Sequence, residues 1–181
     1  MSDAKYDKHY REDPAACGQP FNEFVRFCRE ATPGAVLDLG CGQGRDTLMF
    51  ARARHHVVGV DISKVGVEQM LVAAAREHLD VVGVVGDIVD FATEEQFDIV
   101  VLDRVLHMLR ESDRTAVLTT AMDAVAPGGI LLVAEGPKSM VPVRQAVVSQ
   151  GWELPKDTRN RLFARRPATM ELAHNSLIDS D

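Results

Sequence analysis

The chain has 181 residues, 46% of them hydrophobic, and a formal net charge of -7. That length suits one domain with enough apolar mass for a real core, and an acidic chain without a Lys/Arg stripe argues against a nucleic-acid partner. No apolar run approaches the roughly 20 residues that cross a bilayer, and the polar start MSDAKYDKHYRED lacks a signal-peptide apolar core, so the chain reads as soluble and cytoplasmic, with no membrane partner.

Cys17, Cys28 and Cys41 form no CxxC pair and leave one thiol over, which disfavours a disulfide framework or a zinc knuckle. Reduced thiols and no metal site are expected. The polar N-terminus, with Tyr6, Tyr10 and Arg11, reads either as a lid or as a solvated tail. After Pro20, Phe21, Phe24, Val25 and Cys28 recur at helical spacing and predict an amphipathic helix, with Phe21, Phe24 and Phe27 as core packing.

AVLDLG then reads as a strand, followed by a glycine turn and the helical segment RDTLMFARAR. The alternation continues with VVGVD, a helix SKVGVEQMLVAAAREH capped by Ser63, then VVGVVGD and FDIVVLD. Four of these apolar segments run continuously, as strands covered on both faces do, so the expected fold is α/β with a doubly wound, mostly parallel sheet. A helix over roughly ESDRTAVLTTAMDAVA should stop at Pro127 and Gly128, ahead of a fifth strand GILLVAEG. Beyond Gly136, VPVRQAVVSQ reads as a helix, and WELPKDTRNRLFARR as an antiparallel hairpin turning near Pro155 and Asn160. The stretch from Glu135 to Val143 is a candidate substrate wall.

The chemistry concentrates in VLDLGCGQGRD, where Gly40, Gly42 and Gly44 follow the first strand at the mouth of a helix. Glycines there allow a sharp turn and close backbone approach, and a helix N-terminus with unpaired N–H groups suits a carboxylate or phosphate. A dinucleotide site wants G-x-G-x-x-G; the G-x-G-x-G spacing, with Asp38 two residues before the first glycine, disfavours NAD and suits an amino-acid ammonium. Asp61 ends the second strand, where a carboxylate can accept both ribose hydroxyls, and Asp87 with Ile88 offers an adenine a polar acceptor and an apolar contact. Asp61 could also be a turn carboxylate, and Gly86-Asp87 simply a turn. Cys41 could be a nucleophile or a small side chain filling a tight turn.

In order and spacing, VLDLGCGQGRD, VVGVDIS, VVGDIVDF, FDIVVLDRVLHML and APGGILLVAEG resemble the successive motifs of class I S-adenosyl-L-methionine-dependent methyltransferases, over roughly residues 20 to 166. CGQGRD and the YDKHYRE start are also similar to small-molecule methyltransferases of the tellurite-resistance type. The resemblance implies a Rossmann-like seven-stranded sheet of order 3-2-1-4-5-7-6 with an antiparallel C-terminal hairpin. It implies the methionine end of S-adenosyl-L-methionine near Asp38, Gly40, Cys41, Gly42, Gly44, Asp103 and Arg104, the ribose on Asp61, and the adenine beside Ile62, Asp87 and Ile88. His107 is the candidate base, with packing on the following helix as the alternative.

The expected organisation is one methyltransferase domain over 1–167: an N-terminal lid or helix region (1–31), a cofactor-binding core (35–136) and a closing helix and hairpin (137–167), followed by a polar tail (168–181). The expected activity is methyl transfer to a small-molecule substrate with release of S-adenosyl-L-homocysteine; the alternative is a noncatalytic binding module on the same fold. Oligomeric state is not legible.

Overall fold

A computed structural model describes residues 3–168. Seven strands form one sheet in the order β3-β2-β1-β4-β5-β7-β6: β1 (Ala35–Leu39), β2 (His56–Asp61), β3 (Val81–Val85), β4 (Phe97–Asp103), β5 (Val125–Ala134), β6 (Glu153–Asp157) and β7 (Arg161–Arg165). Strands β1 to β5 pair in parallel, and β7 runs antiparallel to both β5 and β6, so the hairpin closes the sheet as the resemblance implied. The tail expected over 168–181 lies, from residue 169 onward, outside the described residues.

Continuous apolar runs are explained by helices on both faces. Odd and even positions of each central strand go to different cores. Val36, Ile99, Val101, Ile130 and Leu132 pack with Phe24 and Cys28 of α2 (Asn22–Glu30) and Phe50 of α3 (Arg45–Arg52). Leu37, Val100, Leu102, Leu131 and Val133 pack with Val117, Leu118 and Met122 of α5 (Glu111–Ala124) and Met140, Val143 and Val147 of α6 (Pro137–Ser149). Phe24 and Phe27 meet Phe163 edge-on, at 5.6 and 5.5 Å between ring centroids. Ser63 caps α4 (Lys64–Arg76) by accepting the Gly66 amide at 3.1 Å, as its sequence position suggested.

Three sequence expectations need correction. VVGVVGD reads as a doubly covered strand, but β3 is an edge: Val82 and Val85 are 44% and 53% exposed. The run is apolar because α4 covers one face; nothing in its composition distinguishes that from two. The helix expected to reach Ala126 stops at Ala124, and Val125 already pairs with Phe97, with a register shift before Ile99 that absorbs Pro127, Gly128 and Gly129. Pro127, which has no N–H to donate, falls in the unpaired part of that shift, and the Gly128 amide beside it donates to Arg166 O at 3.0 Å. The expected substrate wall from Glu135 to Val143 is mostly the first two turns of α6, which begins at Pro137, a residue preset for a first helical turn. Met140 and Val143 face the core from it, leaving Glu135 and Gly136 at a cavity.

Candidate active site

The sheet order reverses between β1 and β4, and the glycine turn sits at that switch point, where open α/β sheets hold ligands. Gly40, Gly42 and Gly44 have φ of 83, 54 and 85°, values that only glycine adopts freely. A Cβ on Gly40 would lie 2.5 Å from Val105 Cγ2, and one on Gly42 would lie 2.7 Å from the Tyr10 hydroxyl oxygen and 2.9 Å from Cys17 Sγ. The close approach that these glycines permit is thus partly to the chain's own N-terminal segment. The turn's amides are also already engaged: Gly40 and Cys41 donate to Val60 O, Gly42 to Asp61, Gln43 to Cys17 Sγ and Gly44 to Cys41 O. The expected set of unpaired N–H groups is therefore not presented by residues 40–44.

Asp61 ends β2 and is 8% exposed, with Oδ2 accepting the Gly42 amide at 2.9 Å and Oδ1 the Ser63 amide at 2.8 Å. Burial raises its pKa and the two amides pull it back down. It lines a cavity of about 500 Å³ together with Ile62, Asp87, Ile88, Val89, Met108 and Leu109. Asp87 accepts the Val89 amide at 3.0 Å, so the turn reading of Gly86-Asp87 holds, and the same carboxylate faces the cavity. Six predicted residues, Gly40, Asp61, Ile62, Asp87, Ile88 and Arg104, meet at this one cavity.

Asp38 is placed differently from expectation. It is 2% exposed, accepts the Thr47 hydroxyl at 2.6 Å, and lies behind the turn rather than at a cavity wall. Its strand position explains this: Asp38 pairs in register with Gly59 and Val101 inside the sheet, so its side chain is enclosed beneath α3. Burial, then the neighbouring Asp46, lifts its pKa far above the ordinary carboxylate range. At the end of β4, Asp103 meets Arg45, whose guanidinium also binds Asp46 at 2.6 Å. Burial and Asp46 push Asp103 upward as well, against the pull of Arg45. One oxygen of Asp103 and one of Asp46 are buried without a hydrogen-bond partner among the described residues.

Asp103, Asp46 and Arg45 line a second cavity of about 490 Å³, which shares Tyr6, Tyr10, Gly40, Arg104 and Met108 with the first. His107 stands in its wall, on a single 3-10 turn over Leu106–Met108. Its side chain is 47% exposed, and Arg114 of the following helix donates to its carbonyl oxygen at 3.4 Å. Nδ1 lies 2.9 Å from Oε2 of Glu135, a fully buried carboxylate that also accepts the amides of Leu106 at 2.7 Å and His107 at 3.4 Å. Glu135 is the site residue that the sequence reading missed as a partner. Its sole local signal was an acid directly after an apolar strand, the same signal that marks Asp61 and Asp103.

Arg104 has φ of 57°, a left-handed conformation that costs a non-glycine residue on the order of 1 kcal/mol. Its amide is held by Ala134 O at 2.8 Å and its guanidinium by Cys17 O at 3.0 Å. The N-terminal segment closes over both cavities: α1 (Asp3–Glu12) places Tyr6 and Tyr10 in their shared wall, and Asp7 fastens the helix to α4 by accepting Ser63 Oγ at 2.6 Å and the Val65 amide at 3.1 Å. Cys17 and Cys41 are free thiols whose pKa values burial raises, so neither has the thiolate character a nucleophile needs. Phe21 packs on the edge of the core as expected, edge-on to Phe24 at 6.0 Å, and its ring also meets Arg161, Arg104 and Arg45 at 4.8, 5.6 and 5.9 Å.

The family described as a methyltransferase domain matches residues 36–129. Carboxy-S-adenosyl-L-methionine synthase of Aliivibrio salmonicida (strain LFI1238) is 36% identical over 114 residues, 59% of this chain and 47% of that protein. The Escherichia coli (strain K12 / DH10B) protein of the same name is 35% identical over 121 residues, covering 61% and 46%. The chain spans about half the length of these curated relatives. Among solved structures, TehB from Haemophilus influenzae is similar with a TM-score of 0.72 at 17% identity, covering 89% of this chain and 67% of that one. A TehB-like SAM-dependent methyltransferase from Corynebacterium glutamicum has a TM-score of 0.68 at 22% identity, covering 91% and 97%. At these identities the two structures speak for the fold.

Proposed function

The chain belongs to the methyltransferase-domain family, and from that premise we propose that it transfers the methyl group of S-adenosyl-L-methionine to a small-molecule acceptor, releasing S-adenosyl-L-homocysteine. The observation that carries this reading is the pair of adjoining cavities, one lined by Asp61 and the other by His107, which Glu135 holds from behind, joined at Gly40 and Arg104.

The residues present fit the cofactor. Asp61 supplies a carboxylate for the ribose hydroxyls, and Ile62, Asp87 and Ile88 supply apolar and polar contacts for the adenine. The methionine end needs a cation and an anion: Arg45 and Asp103, which pair with each other in the wall of the second cavity, would offer the first and the second. When bound, S-adenosyl-L-methionine supplies a methyl carbon on a positively charged sulfur, and the electron pair of the broken carbon–sulfur bond stays on that sulfur. The protein's work is then positioning and proton transfer. Glu135 accepts Nδ1–H of His107, which fixes the tautomer and leaves the Nε2 lone pair to take a proton from a hydroxyl, thiol or ammonium acceptor. Tyr6 and Tyr10 on α1 act as the roof that excludes water.

Incubation with radiolabelled S-adenosyl-L-methionine and a panel of hydroxyl, thiol, amine and metalloid acceptors tests this. Label on an acceptor with stoichiometric S-adenosyl-L-homocysteine is expected, and its loss in His107→Gln. Cofactor binding with no product across the panel overturns turnover in favour of a binding module. In a parallel incubation that also supplies a small-molecule carboxyl donor, a carboxylated S-adenosyl-L-methionine, read by mass spectrometry, would instead align the chain with the activity its curated relatives are named for. No helix among the described residues is long and apolar enough to cross a membrane; the three free thiols fit a reducing compartment, which supports a cytoplasmic reading.

A further inference from the structure

A third cavity, of about 340 Å³, lies past the carboxyl end of β5, between Glu135 and the β6–β7 turn, and Arg104, Arg159 and Arg161 wall it. The chain carries 27 acidic and 20 basic residues, so three arginines around one small space run against the protein's overall charge. Two of them have donor capacity to spare. Arg159 is exposed and makes no hydrogen bond or ion pair with a described residue. Arg161 is tied through one terminal nitrogen to Glu23 at 2.7 Å, but its Nε is buried without a partner. The Phe21 ring holds Arg161 and Arg104 side by side; Arg104 also pairs with Asp103 at 3.5 Å, so the spare donors of the wall are those of Arg159 and Arg161. The one acid in the wall, Glu135, is turned away: its oxygens serve Leu106, the His107 amide and the His107 ring.

Guanidinium groups gathered around a pocket with unused N–H donors recognise oxyanions, because their planar forks match carboxylate and phosphate oxygens. The pocket is also joined to the chemistry at two points. Arg104 belongs to all three cavities, and Glu135 lines this one while holding His107 in the next. We propose that this cavity is an oxyanion subsite, and that the methyl acceptor is a small molecule carrying a carboxylate or phosphate held there while its nucleophilic atom lies against His107. The second half of that statement rests on the methyl-transfer reading; the subsite itself does not.

The test is calorimetric titration of the full chain, with and without S-adenosyl-L-homocysteine, using para-hydroxybenzoate, its neutral counterpart para-hydroxybenzamide, and inorganic phosphate. The acid is expected to bind about tenfold tighter than the amide. Arg159→Gln, which breaks no contact in the fold, should weaken the acid about fivefold and leave the amide unchanged, an effect scaled down for an exposed arginine. Arg76→Gln on the distant face of α4 removes the same charge and should leave both unchanged. Equal binding of acid and amide, or equal loss in Arg159→Gln and Arg76→Gln, overturns the subsite. Phosphate binding more tightly than the acid assigns a phosphate-bearing acceptor, the reverse a carboxylate-bearing one, and both support an oxyanion site. Failure of S-adenosyl-L-homocysteine to bind counts against the methyl-transfer reading alone, since the acid–amide comparison is made without it as well.

Discussion

The proposed cofactor side of the crevice, under β1, β2 and β3, and the proposed acceptor side, beyond β4 and β5, differ in how far apart in sequence their partners lie. Asp61 reaches the glycine turn across 19 residues and its own helix cap across two. His107 depends on Glu135, 28 residues away, and Arg104 on Cys17, 87 residues away. The first region is a product of local motifs that strand pairing merely sets side by side. The second exists only when β4, β5 and the N-terminal segment are assembled. If this comparison is right, substitutions on the first side should destroy cofactor binding, whereas those on the second should spare it and lower turnover.

The largest effect is expected at Asp61. Asp61→Asn keeps the size of the side chain but turns one acceptor into a donor that faces either the Gly42 or the Ser63 amide. Loss of two charge-assisted hydrogen bonds to ribose should weaken S-adenosyl-L-homocysteine on the order of 100-fold by calorimetry. Unchanged affinity would remove the ribose assignment and with it the contrast between the two sides. Next comes Glu135→Gln, which unfastens the imidazole from its carboxylate. A fall in kcat of about tenfold with cofactor affinity intact is expected, as for other residues that orient a working histidine. An equal loss in cofactor affinity would make Glu135 a structural residue of the β5 end instead.

How far the sequence could be read follows the same division. The strand–turn–helix alternation, the sheet topology and the convergence of Asp61, Asp87 and Ile88 are legible because each rests on a periodicity or a motif a few residues long. Asp38 shows the limit: its place two residues before Gly40 is visible, but whether its carboxylate points to the crevice or under α3 depends on strand register, and it points under α3 to Thr47. Glu135 and Asp103 follow apolar strands alike, yet one is turned to His107 and the other to Arg45. That choice is made by what packs opposite, which no local pattern records. The edge exposure of β3 escaped for the same reason, since a valine run does not say how many faces are covered.

A smaller effect tests whether the N-terminal helix belongs to the cofactor side or to both. Asp7 carries the attachment of α1 to α4 through Ser63 and Val65, and those hydrogen bonds hold its carboxyl below the usual range. Asp7→Ala should therefore raise hydrogen exchange across residues 3–12 and speed S-adenosyl-L-homocysteine release by a factor of about three to five. Faster release with unaltered exchange would leave the helix out of the gating.

The smallest expected effect lies beneath the boundary between the sides, where Asp38 and Asp103 both sit near Asp46. Burial raises Asp38 above its unfolded pKa, so between the ordinary carboxylate range and the folded value the native state holds more protons than the unfolded chain. Stability then falls as pH rises through that window, and the cost of the buried charge persists above it. His55 works in the opposite direction: it is wholly buried, burial lowers its pKa, and its contribution is lost as pH falls below the unfolded histidine value. A single wild-type curve mixes the two. Subtracting the curve of Asp38→Asn cancels His55 and isolates the acid. The amide keeps an acceptor for the Thr47 hydroxyl and removes the buried charge, so the variant should gain on the order of 1 kcal/mol over wild type at about pH 7, shrinking toward about pH 5. A difference that grows as the pH falls would mean that Asp38 is charged and satisfied in the fold, with Arg45 the nearby cation. The ionic cluster would then couple the two sides of the crevice rather than merely lie under them.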